Sequence, residues 1–154
     1  MSDALSRLLP DEQATIAAGA ELGAYLRDAC QGNALVFLLG DLGAGKTTFA
    51  RGLIQSFGHS GAVKSPTYTL LEPYELALGN VFHFDLYRVE DPQELEFVGI
   101  DEIIDAAGIK LFEWPQRAAR WLPPADVTVH LSVHAADVTA RDLKISYAHD
   151  SGTN

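Results

Sequence analysis

A chain of 154 residues, 47% of them hydrophobic, is sized for one domain (residues 1–154) that buries about two-thirds of its unfolded surface without a disulfide or metal staple. A net charge of −10 argues against this chain gripping nucleic acid unaided, because phosphate backbones call for a clustered basic surface. With Cys30 its only cysteine, no signal-like apolar segment and no membrane-length apolar run, the expectation is a reduced, cytoplasmic protein with no membrane partner.

In chain order, residues 10–30 read as a helix. Pro10 suits a first turn, Asp11 and Glu12 favour its positive end, and Ile16, Leu22, Tyr25 and Leu26 form an apolar stripe. Residues 34–39 are a short apolar run, read as a buried strand, and Phe49, Leu53, Ile54 and Phe57 have helical spacing over 46–57. Residues 60–66 read as irregular. Residues 67–74 and 81–87 have strand character, with Gly79-Asn80 between them as the turn of a hairpin. Asp91 reads as a helix cap followed by Pro92, and 109–113 as another buried strand. Residues 116–121 read as a short helix stopped by Pro123-Pro124, 127–133 and 142–147 as paired strands, and the segment from about 148 as a loose polar tail. Strand pairs without intervening helices imply a mixed sheet, so the expected fold class is α/β, a parallel core with antiparallel additions.

Between the first strand and the second helix lies Gly40-Asp-Leu-Gly-Ala-Gly-Lys46-Thr47-Thr48, the pattern G-x-x-x-x-G-K-[ST]. Its glycines let backbone N–H groups converge on phosphate oxygens, and the helix N-terminus adds partial positive charge. Lys46 can reach the β- and γ-phosphates and the Thr47 hydroxyl can bind Mg²⁺. Asp41, Leu42, Gly43, Ala44, Gly45 and Thr48 complete the expected nucleotide-binding loop, and the implied cofactors are ATP or ADP with Mg²⁺.

Such a loop needs a carboxylate from a neighbouring strand end. Asp85 and Glu113 both qualify, one for the catalytic step and one for the metal, with Lys46 as the cation acting on the phosphates. For Asp85 the alternative is an ion pair with Arg88. Ser65-Pro-Thr67 is placed like a switch segment, or is a plain Ser-Pro turn. His83 reads as a packed, hydrogen-bonded histidine. Trp114 reads either as core or as a ring covering the site, and Trp121 as packing. His59, His130, His134 and His149 have no metal-ligand spacing with cysteine.

These motifs, with Ser65-Pro-Thr-Tyr68, His83-Phe-Asp-Leu-Tyr-Arg88, Gly99-Ile-Asp-Glu102 and Glu113-Trp-Pro115, resemble the TsaE family (also called YjeE) over nearly the whole chain. The resemblance implies a three-layer P-loop NTPase fold and an ATPase of tRNA threonylcarbamoyladenosine synthesis with low turnover of its own. It implies TsaB and TsaD as partners, the pair that modifies the adenosine beside the anticodon of tRNAs reading codons that begin with A. It places phosphate contacts at Gly43, Gly45, Lys46, Thr47 and Thr48, Mg²⁺ at Thr47 and Glu113, the active-site aspartate at Asp85, and a nucleotide contact at Thr15. Tyr68 stands where the family usually has Phe, which keeps the ring. With the net charge, this means that tRNA is engaged only indirectly. Other classes remain open: a small-molecule kinase, which would need a basic lid that 11 Lys and Arg residues do not provide in any cluster, or a nucleotide-dependent interaction module.

Overall fold

The computed structural model describes residues 3–148; the rest of the expected polar tail, and His149 with it, lies outside the described residues. Seven strands form one sheet: β1 (Asp3–Leu9), β2 (Ala34–Leu39), β3 (Leu71–Leu76), β4 (Gly79–Asp85), β5 (Ile109–Glu113), β6 (Val127–His134) and β7 (Asp137–Tyr147), ordered β1-β7-β6-β2-β5-β4-β3. β2 pairs in parallel with β5 and β6, and β4 in parallel with β5. The β3–β4, β6–β7 and β1–β7 pairs are antiparallel. The mixed α/β sheet with a parallel core and antiparallel additions therefore stands.

Several elements shift from their expected places. α1 is Glu12–Ala29, and its cap is Asp11, whose carboxylate accepts the Ala14 N–H at 2.9 Å; Pro10 stands before the cap rather than in the first turn. The hairpin turn is Ala77-Leu78, with Gly79 and Asn80 already in β4, and residues 67–70 are a turn, so β3 begins at Leu71. β3 is the sheet's outer strand and contains Pro73, a residue that an edge tolerates because one side of the ladder is unpaired. The helix expected to start at Asp91 starts later: Asp91 accepts the Gln93 N–H at 3.0 Å in the preceding turn, Gln93 takes the cap position without a side-chain bond, and two short helices follow, α3 (Glu94–Phe97) and α4 (Ile100–Asp105). The expected 116–121 helix is a 3₁₀ segment, Pro115–Trp121, kinked at Ala118. Trp121 is 41% exposed, so its ring contributes less packing than expected. β1 is an element that the residue pattern did not disclose.

Alternate residues of the central strands enter opposite faces of the sheet. On one face Val36, Leu38, Val81, Ile109 and Leu111 pack against α1 and against α2 (Lys46–Ser56), where Phe49, Leu53, Ile54 and the following Phe57 are fully buried. On the other, Phe84 stacks flat on its register partner Phe112, centroids 4.2 Å apart, beneath residues of α3, α4 and the 3₁₀ segment.

α1 and α2 approach closely at glycines. A Cβ on Gly19 would overlap the Phe49 carbonyl, and one on Gly52 the Ile16 carbonyl. A glycine inside a helix costs roughly 0.5–1 kcal/mol relative to alanine, and here it permits backbone contact between two helices. Gly52→Ala is therefore expected to lower stability, by the roughly 1–3 kcal/mol typical of overpacking or more, despite its better helix propensity. Urea denaturation checks this; an unchanged or higher midpoint would mean that the helices do not meet at Gly52.

Candidate functional site

The C-terminal ends of β2, β4 and β5 open on the same edge of the sheet, where a parallel core places ligands. β2 runs directly into the glycine loop, and α2 begins at Lys46. Gly43 (φ 81°) and Gly45 (φ 102°) hold left-handed backbone that a side chain would strain. The start of α2 differs from that of α1. Asp11 caps α1 and Glu12 lies in its first turn, whereas α2 has no side-chain cap and no acid in its first turn. Its first N–H groups and the positive end of its dipole are left for an anion from outside.

A cleft of about 430 Å³ lies over this helix start, lined by Leu42, Gly43, Gly45, Lys46, Thr47 and Thr48 on one side. Ser65, Thr67, Asp85, Glu113, Trp114 and Arg141 close it from the other elements. Of the loop residues expected at a nucleotide, Leu42 is 66% exposed at the rim, whereas Asp41 and Ala44 do not line the cleft. Ala44 is buried, and its N–H donates to the Asp41 carbonyl at 3.0 Å, a turn that shapes the loop from behind.

The side chain of Lys46 is buried, its Nζ donating to the Gly40 carbonyl at 2.6 Å and lying 3.7 Å from the centre of the Trp114 ring. Burial pushes the ammonium below its usual range, and Glu113, Asp85 and Asp41 pull it partly back. Trp114 is half-buried with left-handed backbone (φ 59°), and its ring tilts against Tyr87 at 4.9 Å. The ring thus lies over the lysine and also packs against Tyr87 and the apolar cluster on the second face of the sheet.

The β4–β5 register pairs Asp85 with Glu113. The Thr47 hydroxyl donates to Glu113 at 3.2 Å to Oε2 and 3.3 Å to Oε1. Asp85 accepts the Tyr87 N–H at 2.9 Å on Oδ1, and the hydroxyls of Ser65 and Thr67 on Oδ2, the latter at 3.1 Å. Arg88 does not pair with Asp85. Its guanidinium lies over the exposed Tyr68 ring at 4.5 Å and donates to that phenol at 3.2 Å. His83 is fully buried, with Nε2 2.7 Å from Glu113 Oε2.

Thr15 is placed behind the loop, in a smaller cleft it shares with Gly45, Thr48 and Arg141. Its hydroxyl is turned to its own helix, donating to the Asp11 carbonyl at 3.4 Å. Arg141 is the site residue that sequence reasoning missed. From β7 its guanidinium donates to the carbonyls of Gly43 and Ala44, both at 3.1 Å, and to Val138 and Ala140. It ties the loop to the far side of the sheet and lines both clefts.

Among the described residues no three His, Cys, Asp or Glu converge on a metal position. Thr47, Glu113 and Asp85 instead offer hard oxygen donors along the cleft at the start of α2. That donor set suits Mg²⁺, which keeps several waters and takes one or two carboxylates along with phosphate oxygens. Of the other described histidines, His59 bonds with the Ala62 carbonyl, His134 with Asp142, and His130 is exposed on β6.

A family model described as "Threonylcarbamoyl adenosine biosynthesis protein TsaE" matches residues 9–143. The tRNA threonylcarbamoyladenosine biosynthesis protein TsaE of Haemophilus influenzae is 40% identical over 153 residues, 99% of this chain and 95% of that protein. The protein of the same name from Aquifex aeolicus is 34% identical over 140 residues, covering 90% of this chain and 92% of its own. In fold, the crystal structure of Bacillus subtilis YdiB superposes with a TM-score of 0.78 over 97% of this chain and 89% of that one, at 24% identity. With a family model spanning most of its length and a relative aligned nearly end to end, the chain belongs to the TsaE family.

Proposed function

We propose that this protein is a P-loop ATPase that serves tRNA threonylcarbamoyladenosine synthesis, binding ATP with Mg²⁺ in the 430 Å³ cleft. Family membership supports the pathway, and a single observation supports the chemistry. The uncapped start of α2, carrying Lys46 and Thr47, faces two carboxylates from adjacent strand ends across one cleft. That is an anion site with a place for a hard cation at its edge.

On this reading the loop amides and Lys46 bind the phosphates, and Thr47 and Glu113 hold the cation. Bound Mg²⁺ neutralises charge developing on the phosphates. Asp85 orients the attacking water and, through Ser65 and Thr67, the 60–70 segment. Arg141 shapes the loop by bonding the carbonyls of Gly43 and Ala44. Thr15 contacts the nucleotide from behind the loop.

The protein acts with TsaB and TsaD, and tRNA is reached through them. A net charge of −10 disfavours unaided binding of a polyanion, and Lys46, one of two buried lysines among the described residues, lines the cleft. The test is phosphate release from ATP by the protein alone and with TsaB–TsaD, with Mg²⁺ and with EDTA. Slow turnover alone, faster turnover with the pair, and loss of both on chelation are expected. Turnover indifferent to EDTA, or the absence of nucleotide binding, overturns the reading.

A further inference from the structure

Among the described residues, His83 is the fully buried polar side chain near the site to which the mechanism above gives no task. It sits on β4 two residues before Asp85 and so on the same face, its register partner on β5 being Leu111, two residues before Glu113. Its Nε2 lies 2.7 Å from Glu113 Oε2, and its Nδ1 has no hydrogen-bond partner among the described residues. A ring nitrogen facing a carboxylate oxygen must donate, which assigns the hydrogen to Nε2. Nδ1 is then a bare, buried lone pair with no donor among the described residues, on the sheet face that also carries Val81 and Leu111. The reverse tautomer would set two acceptors against each other and bury an unsatisfied N–H as well.

The consequence falls on Glu113. Its Oε2 lies 2.7 Å from His83 Nε2, the shortest contact the carboxylate makes; the single Thr47 hydroxyl hydrogen is shared between Oε2 at 3.2 Å and Oε1 at 3.3 Å, and the Ser65 hydroxyl, 3.4 Å from Oε2, gives its hydrogen to Asp85 Oδ2. Oε2 is thus held by a close N–H donor, whereas Oε1 retains acceptor capacity. We propose that His83 is a positioning residue whose Nε2–H fixes the Glu113 carboxylate so that Oε1 is the oxygen presented to Mg²⁺ or to a water of its shell. The inference rests on the nucleotide–Mg²⁺ reading above. Its physical basis is that a carboxylate on a flexible stem binds a cation more tightly when its rotamer is already fixed by a neighbouring donor.

Three variants separate positioning from packing. His83→Leu keeps bulk and loses the donor, His83→Gln keeps an amide N–H at similar reach, and His83→Asn keeps the amide one methylene short. Affinity for a fluorescent ATP analogue is measured with Mg²⁺ and with EDTA, alongside thermal unfolding. The Mg²⁺-dependent gain in affinity is expected to fall about 10- to 100-fold in the Leu and Asn variants, with affinity in EDTA unchanged, and to return in Gln. Equal losses in Gln and Asn, or no loss in either, overturn the proposal even if the Leu variant fails to fold. In the nucleotide-free protein, nitrogen NMR of the imidazole should show hydrogen on Nε2 and a shift on Glu113→Gln. An Nδ1–H tautomer overturns the inference alone, whereas wild-type binding that does not depend on Mg²⁺ overturns the site reading with it.

Discussion

Lys46→Ala is expected to abolish ATP hydrolysis and leave a folded protein. The ammonium is buried, yet its contacts are one carbonyl, Gly40 at 2.6 Å, and the face of Trp114 at 3.7 Å; among the described residues no carboxylate comes within ion-pair distance of it. Burial already weakens its hold on the proton, so the folded state gains little from keeping a charge there. An anionic phosphate would supply the counter-charge that the protein withholds. Removing a fixed cation from the place where charge develops costs on the order of 10²- to 10³-fold in turnover, enough to take a slow ATPase below detection. Thr47→Ala should follow it, since the Thr47 hydroxyl joins the loop to Glu113. Phosphate release and circular dichroism on both variants check this. A folded Lys46→Ala protein with wild-type turnover would show that the loop is not the catalytic site.

That site was legible in the sequence because its pieces are local. A glycine loop between an apolar run and a helix is specified by residues within one short segment, and the loop lies where the pattern put it. Asp85 and Glu113 were both recognised as carboxylates at strand ends. Their meeting, however, depends on β4 and β5 being parallel neighbours in one particular register, which neither strand encodes alone. Arg141 was invisible for the same reason in stronger form. Nothing around it repeats a phosphate-binding pattern, and it reaches the loop only because β7 lies beside β6, which in turn pairs with β2. β1 escaped because it is an edge strand that pairs only with β7, from the opposite end of the chain, and leaves Leu5 and Leu8 43% and 51% exposed. The glycines of α1 and α2 did carry a signal. Gly19, Gly23 and Gly52 inside helical segments are unfavourable without a reason, and the reason is the close approach of the two helices, backbone to backbone at Gly19 and Gly52 and against the Ser56 hydroxyl at Gly23.

Asp85 and Glu113 are adjacent in register and have only the Ser65 hydroxyl in common among their partners, and their substitutions should therefore fail differently. Glu113 is tied to Thr47 on the phosphate loop and to His83 in the core, so Glu113→Ala should chiefly raise the Mg²⁺ needed for activity. Asp85 is tied to the segment after α2. Its Oδ2 accepts the hydroxyls of both Ser65 and Thr67, and its own N–H donates to the Leu70 carbonyl at 3.0 Å, so the carboxylate and the segment's backbone share one anchor. Asp85→Ala removes the side-chain half of that anchor together with a group able to orient water. Turnover is expected to fall at least about a hundredfold, the range for losing a positioned acid–base group, with little change in nucleotide affinity. The same substitution should raise hydrogen exchange through residues 64–68. If that segment is the part of the surface whose order depends on the γ-phosphate, Thr67→Ala should also blunt the difference in TsaB–TsaD affinity between an ATP analogue and ADP, since it cuts one of the two hydroxyl ties. Titrating Mg²⁺ against turnover and nucleotide binding for Asp85→Ala and Glu113→Ala decides the matter. Equal losses of Mg²⁺ affinity would mean that both carboxylates serve the metal and that the segment's attachment to Asp85 is only structural.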